Sequence, residues 1–160
     1  MDEKRETSQR IARLTKELAK AKAIALDTMI FSYQYFGQPK LKPLTEVIFN
    51  HIESGKVKGY ASWLSVGELS VEIQNAGSAS DVKTYIDFIS SFPNLTLLPA
   101  EKNVIEHFVS IRLNTHLETA DSLHIASAQT ANVDLLISND SAWRNRFAKP
   151  KLILLSDYLK

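Results

Sequence analysis

Short runs of consecutive apolar residues alternate with longer stretches patterned at helical spacing, and this alternation limits the chain to few architectures. Ile24-Ala25-Leu26, Val57 to Ser62, Leu95 to Leu98, Leu135-Leu136-Ile137 and Leu152 to Leu155 read as short strands. Several are apolar at successive positions instead of alternating with polar residues, the pattern of strands covered on both faces. Such strands with helices between them predict an α/β fold, a three-layer α/β/α sandwich around a central parallel sheet. In sheets of this kind ligands bind beyond the carboxyl ends of the strands. Acids at those ends therefore come first in any search for a site.

The segments between the strands carry their own punctuation. Met29 to Phe36 reads as a helix ending near Gly37 and Pro39, and Leu44 to Ser54 as one stopped by Gly55. Ser65 towards Asn75, Asp81 to Ser91, Glu101 to Leu113 and Thr119 to Ala131 repeat the helical spacing. Asn132 is placed to close the last of these in a left-handed conformation, and Trp143 to Phe147 reads as a short helix. Residues 1–22 read as an N-terminal amphipathic helical extension, leaving 23–160 as the domain proper. Ile11, Leu14, Leu18 and Ala21 form its thin apolar stripe, and Thr7 or Ser8 is available as a cap. So thin a stripe is expected to pack on a partner surface or to stay partly frayed.

At 160 residues the chain is long enough for one domain with one buried core. It contains no cysteine, which excludes a disulfide framework and any thiolate metal site. No apolar run is long enough to span a bilayer and the N-terminus is charged, so no membrane contact and a cytoplasmic location are expected. Seven Lys/Arg against four Asp/Glu put +3 on residues 1–22, while twelve against fourteen leave −2 on the rest. A body so charged would hold a polyanion only through metal ions and a local basic strip.

Four acids fall where the strand-end rule directs attention. Asp27 directly follows Ile24-Ala25-Leu26, and Asp140 follows Leu135-Leu136-Ile137 through Ser138-Asn139. Glu68 is expected in the first turn of the helix after the second strand, and Asp121 in the first turn of Thr119 to Ala131. If both helices start at the same sheet edge, the four carboxylates converge. Packed carboxylates repel and take up protons unless a cation neutralises them. Oxygen donors without Cys suit Mg2+ or Mn2+, which polarise phosphoryl oxygens and acidify an attacking water. Each acid also has a structural explanation. Ser65-x-x-Glu68 is a capping-box pattern, Asp121 favours the positive end of a helix, and Asp140 can cap the turn before Trp143. Asp27 is the hardest to explain that way, because an acid ending a buried strand is desolvated unless partnered.

Four segments together carry a family likeness. They are Ala25-Leu26-Asp27-Thr28, Ala61 to Leu69 with Glu68, Ala120 to Ala128 with Asp121, and Asp134-Leu135-Leu136-Ile137-Ser138-Asn139-Asp140. Their order and spacing resemble the PIN-domain ribonucleases, in particular the toxins of VapBC toxin–antitoxin pairs. The resemblance implies Mg2+- or Mn2+-dependent endoribonuclease activity on RNA, frequent homodimers, and inhibition by a cognate antitoxin. It also implies that Ser138 and Asn139 support the acids. Members of the family often carry Asn or Ser where this chain has Met29.

Arg144, Arg146, Lys149 and Lys151 follow Asp140 closely and are candidates for RNA phosphate contacts, or else a solvated charged surface. His124, one turn after Asp121, is expected to be a packed, hydrogen-bonded histidine. Trp143 is expected in the core. The N-terminal helix is expected to serve packing or dimerisation; the sharper alternative lays Arg10 or Arg13 across the acids, as antitoxin helices do. The reading is a metal-dependent endoribonuclease with Asp27, Glu68, Asp121 and Asp140 as catalytic and metal-binding residues. The alternative is a catalytically impaired PIN-like module that binds RNA or protein. A domain for a small phosphorylated ligand is disfavoured because Gly55, Gly59, Gly67 and Gly77 form no phosphate loop.

Overall fold

Ala23–Leu26 (β1) is the spine of the molecule, and Ile24, Ala25 and Leu26 in it are all buried. In the computed structural model, which describes residues 2–160, β1 pairs in parallel with Lys58–Ser62 (β2) on one side and Leu135–Ser138 (β4) on the other. Leu95–Leu98 (β3) and Lys151–Leu154 (β5) complete a five-stranded parallel sheet of order β3-β2-β1-β4-β5. The strand order reverses between β1 and β4, which opens a crevice beyond their carboxyl ends.

Alternation along the central strands supplies both layers. Ile24 and Leu26 of β1, with Leu135 and Ile137 of β4, face a core built from Asp2–Leu18 (α1), Thr28–Phe36 (α2), Lys42–Glu53 (α3), Trp63–Ala76 (α4) and Ala79–Ser90 (α5). Ala25 and Leu136 face the other way, against Ile111 of Lys102–Thr115 (α6) and Ile125 and Ala128 of Thr119–Thr130 (α7). The predicted three-layer sandwich is the observed one. At Gly59 the close approach of α3 leaves no room for a side chain, since a Cβ there would stand 2.8 Å from Ile52 Cδ1.

Helix ends follow the punctuation where it is local. Gly37 and Asn132 both take positive φ, 72° and 50°, as their positions after α2 and α7 foretold. Three expectations fail. Helix α4 is capped by Ser62, whose hydroxyl accepts from Leu64 N, so Ser65 lies inside the helix and the capping box with Glu68 does not form. Trp143 to Phe147 is not a helix; a 3-10 turn covers Ser141–Trp143 and Asn145 then reverses the chain at a φ of 58°. Helix α1 begins well before Thr7 and Ser8, and the Ser8 hydroxyl donates within the helix to Lys4 O.

The N-terminal helix is neither frayed nor bare. Leu14 and Leu18 are fully buried in the chain's own core. Arg10 donates to Leu159 O, and Arg13 to Asp157 O and Lys160 O, with its guanidinium over the Tyr158 ring. These arginines fasten α1 to residues 157–160, so within one chain neither Arg10 nor Arg13 covers the acids, contrary to that expectation. Helix α1 packs against both α3 and the C-terminal residues 155–158. Among the described residues, no helix is long and apolar enough to cross a membrane.

A four-acid cleft as candidate active site

Asp27 ends β1 and caps α2, with Oδ1 accepting from Met29 N at 2.5 Å. Its other oxygen accepts from the Ser138 hydroxyl at the end of β4. Asp27 is buried, and desolvation pushes its carboxyl up from 3.8 to about 6 despite those two bonds. Asp140 lies just beyond, its N–H donating to Ser138 Oγ and its Oδ1 accepting from Ala142 N at 2.8 Å. The capping reading of Asp140 is therefore realised with one oxygen, and the other stays available.

Glu68 and Asp121 reach the same cleft from helices. Glu68 stands in the second turn of α4, where Thr28 donates to Oε1 at 2.6 Å and His124 Nε2 lies 2.6 Å from the same oxygen. The His124 bond, foremost, holds the Glu68 carboxyl below the usual range. Asp121 is in the first turn of α7, and its carboxyl is raised chiefly by partial burial and then by the neighbouring Asp140. The Trp143 indole N–H, buried and without a hydrogen bond of good geometry, partly offsets that rise.

Together Asp27, Glu68, Asp121 and Asp140 line one cleft with Thr28, Met29, His124 and Trp143. No Lys or Arg is among these lining residues. Among the described residues, however, no three His, Asp or Glu stand close enough to serve as a ready-made ligand group. Both oxygens of Asp27 and one each of Glu68 and Asp140 are instead engaged with Met29, Ser138, Thr28, His124 and Ala142. The donor chemistry nevertheless fits a hard divalent cation, because all four acids offer oxygen and burial raises the carboxyls of Asp27 and Asp121 in a cleft that no Lys or Arg lines.

The supporting residues divide. Ser138 bonds Asp27 directly, whereas Asn139 turns away, donating to Tyr33 Oη and accepting from Ser156 N. The basic residues after Asp140 do not form one free strip. Arg144 is tied to both oxygens of Asp157, at 2.6 and 2.8 Å, and Arg146 to the carbonyls of Thr115 and Ala142. Lys151 pairs with Glu17 and opens β5 beside Leu135, as Lys149 just precedes it. Both therefore sit at the amino edge of a parallel sheet, about 10 Å or more from the carboxyl edge that holds the acids. Strand direction thus sets Lys149 and Lys151 apart from the cleft, and neither lines it. Sequence reasoning missed Thr28; its adjacency to Asp27 was the available signal. Trp143 is buried as expected.

Residues 24–148 match the family model described as PIN domain. The chain belongs to the PIN domain family. That family is one of nucleases and generally uses divalent metal ions. No curated protein sequence matches the chain. Solved structures match in fold. A chain of VapBC2 from Rickettsia felis, bound to a promoter DNA fragment, is 15% identical with a TM-score of 0.63, covering 82% of this chain and 98% of that one. A chain of FitAcB from Neisseria gonorrhoeae is 19% identical with a TM-score of 0.61, covering 83% and 98%. A toxin–antitoxin complex from Klebsiella pneumoniae gives 14% identity, 0.61, and 82% and 97%. At such identities the likeness is one of fold, and α1 lies outside the segment that the family model matches.

Proposed function

We propose that this PIN domain is a metal-dependent endoribonuclease of the toxin type, hydrolysing RNA phosphodiester bonds in the cytoplasm. The observation that carries the reading is the meeting of Asp27, Glu68, Asp121 and Asp140 in one cleft that no lysine or arginine lines. Asp27, Asp121 and Asp140 would hold Mg2+ or Mn2+, with Glu68 beside them. Bound there, the ion would polarise a phosphoryl oxygen and acidify a water.

The chain's own residues do the rest. Ser138 fixes Asp27, so its carboxylate cannot swing away from the cleft floor. Among the described residues the second oxygen of Asp140 accepts no protein hydrogen bond, and Asp121 accepts none of good geometry. Glu68, held from behind by Thr28 and His124, keeps one oxygen to orient the attacking water. No covalent intermediate is required.

A cognate antitoxin and a second copy of the chain are the partners proposed. The fold neighbours come from toxin–antitoxin complexes, which supports the first. An apolar cavity of about 400 Å3 lined by Phe31, Tyr35, Phe49, Tyr85 and Phe88 offers a seat for apolar side chains. For the second, Ile105, Val109 and Leu113 lie exposed at one-turn spacing along α6.

The test is cleavage of single-stranded RNA by the purified protein with Mn2+, with Mg2+ and with chelator. Metal-dependent cleavage that disappears in Asp121→Asn supports the reading; no cleavage and no bound Mn2+ sinks it. One observation favours a second reading, an impaired module that binds RNA or protein. Met29 lines the cleft where the family often has a polar residue. RNA retention without turnover in Mn2+ would select it.

A further inference from the structure

Glu68 is held by two donors at a single oxygen. Thr28 Oγ1 and His124 Nε2 both stand 2.6 Å from Oε1, and the hydroxyl and the ring nitrogen are 3.4 Å apart. A carboxylate only accepts, so the hydroxyl and the ring N–H both donate, and the Nε2 proton fixes the face that the imidazole turns to the cleft. His124 itself is buried, with Nδ1 3.4 Å from the Ser65 hydroxyl inside α4. Among the described residues nothing bonds Glu68 Oε2.

We infer that His124 and Thr28 are positioning residues that lock Glu68 through Oε1, so that it serves the metal or its water through Oε2 alone. This rests on the proposed metal-dependent reading. The side chain has three rotatable bonds, and an unrestrained glutamate would sample both oxygens and several rotamers. Two short bonds at one oxygen remove that freedom before any ion arrives. The arrangement forbids bidentate coordination by Glu68 while both donors remain. It also explains why an imidazole sits beside an acid cluster without being a ligand: its donating nitrogen is already committed to Glu68.

Three substitutions separate positioning from packing. Thr28→Val keeps the shape and removes one donor; His124→Leu removes the other, and His124→Gln returns an N–H near the Nε2 position. Mn2+ affinity of the RNA-free protein, measured by calorimetry, is expected to fall about tenfold in Thr28→Val and His124→Leu, as loss of outer hydrogen bonds to a ligand does. His124→Gln is expected to recover most of it. In a Glu68→Gln background the Thr28 substitution is expected to add less than about twofold, since the group it positions is already gone. Metal-free protein gives an independent readout: a slowly exchanging His124 Nε2–H signal in proton–nitrogen spectra, absent in Glu68→Leu. Wild-type affinity in Thr28→Val, or additive effects with Glu68→Gln, would overturn the inference. A wild type that binds no Mn2+ but shows the protected Nε2–H would overturn the metal reading while leaving the lock itself intact. Absence of that signal with normal Mn2+ binding would overturn the lock alone.

Discussion

The hydroxyl of Ser138 donates to Oδ2 of Asp27, tying the carboxyl ends of two neighbouring strands together at the cleft floor. The bond supports a carboxylate that no Lys or Arg neutralises, and burial still pushes that carboxyl up to about 6. Holding the charge there is therefore unfavourable to the metal-free fold. Asp27→Asn should abolish Mn2+-dependent cleavage and yet stabilise the metal-free protein near pH 8, by about 1–3 kcal/mol. Urea unfolding of both proteins in chelator measures it. A destabilised variant would contradict the uncompensated charge.

The same shift gives stability a sign against pH. A carboxyl titrating near 6 when folded and near 3.8 when unfolded binds its proton more tightly in the fold. Its contribution is present below about pH 4 and is lost as pH rises through 6. The difference in melting temperature between Asp27→Asn and wild type should therefore grow from about pH 4 to 7. Mn2+ affinity should run the opposite way, rising up to about tenfold per pH unit below 6 and levelling above it.

Leu18 belongs to the core although α1 lies outside the matched family segment. Leu18→Ala should cost about 2–5 kcal/mol of unfolding free energy, as buried leucines do. A loss below about 0.5 kcal/mol in a denaturant titration would make α1 an appendage, since that is the range of ordinary surface substitutions.

Val109 lies in the exposed apolar row of α6, half accessible at 49%. Val109→Asp should convert a self-associating protein to a monomer without lowering its melting temperature by more than a few degrees. Light scattering coupled to size exclusion reads the mass directly.

Lys149 and Lys151 stand at the amino edge of the sheet. Replacing both with alanine should leave affinity for single-stranded RNA within about twofold, because removing a side chain that neutralises a bound phosphate would lower both affinity and its salt slope. Filter binding at two salt concentrations tests this.

How far the sequence could be read depended on range. The apolar runs of β1, β3 and β4 announced themselves, and so did Gly37 and Asn132, because each answers to its immediate neighbours. Glu68 was harder. Ser62 and Ser65 are both plausible caps, and the choice between them is made by the pairing of Ser62 with Leu98, on a strand that comes later in the chain. The basic residues after Asp140 look like one strip on paper, yet Arg144 is bound to Asp157 and Lys151 faces the opposite edge. Only the direction of β5 separates them. Thr28 and His124, 96 positions apart, meet at Glu68 through packing that no local pattern encodes.

The bond between Asp27 and Ser138 spans 111 positions, and the strand pairing beneath it spans as many. A chain still emerging from the ribosome holds Asp27 long before it holds the partner that fixes it, and two of the four acids arrive later still than Glu68. No half-made molecule can carry the cleft. Any activity that needs all four acids is therefore absent until synthesis has passed Asp140 and the sheet has closed around its middle strand.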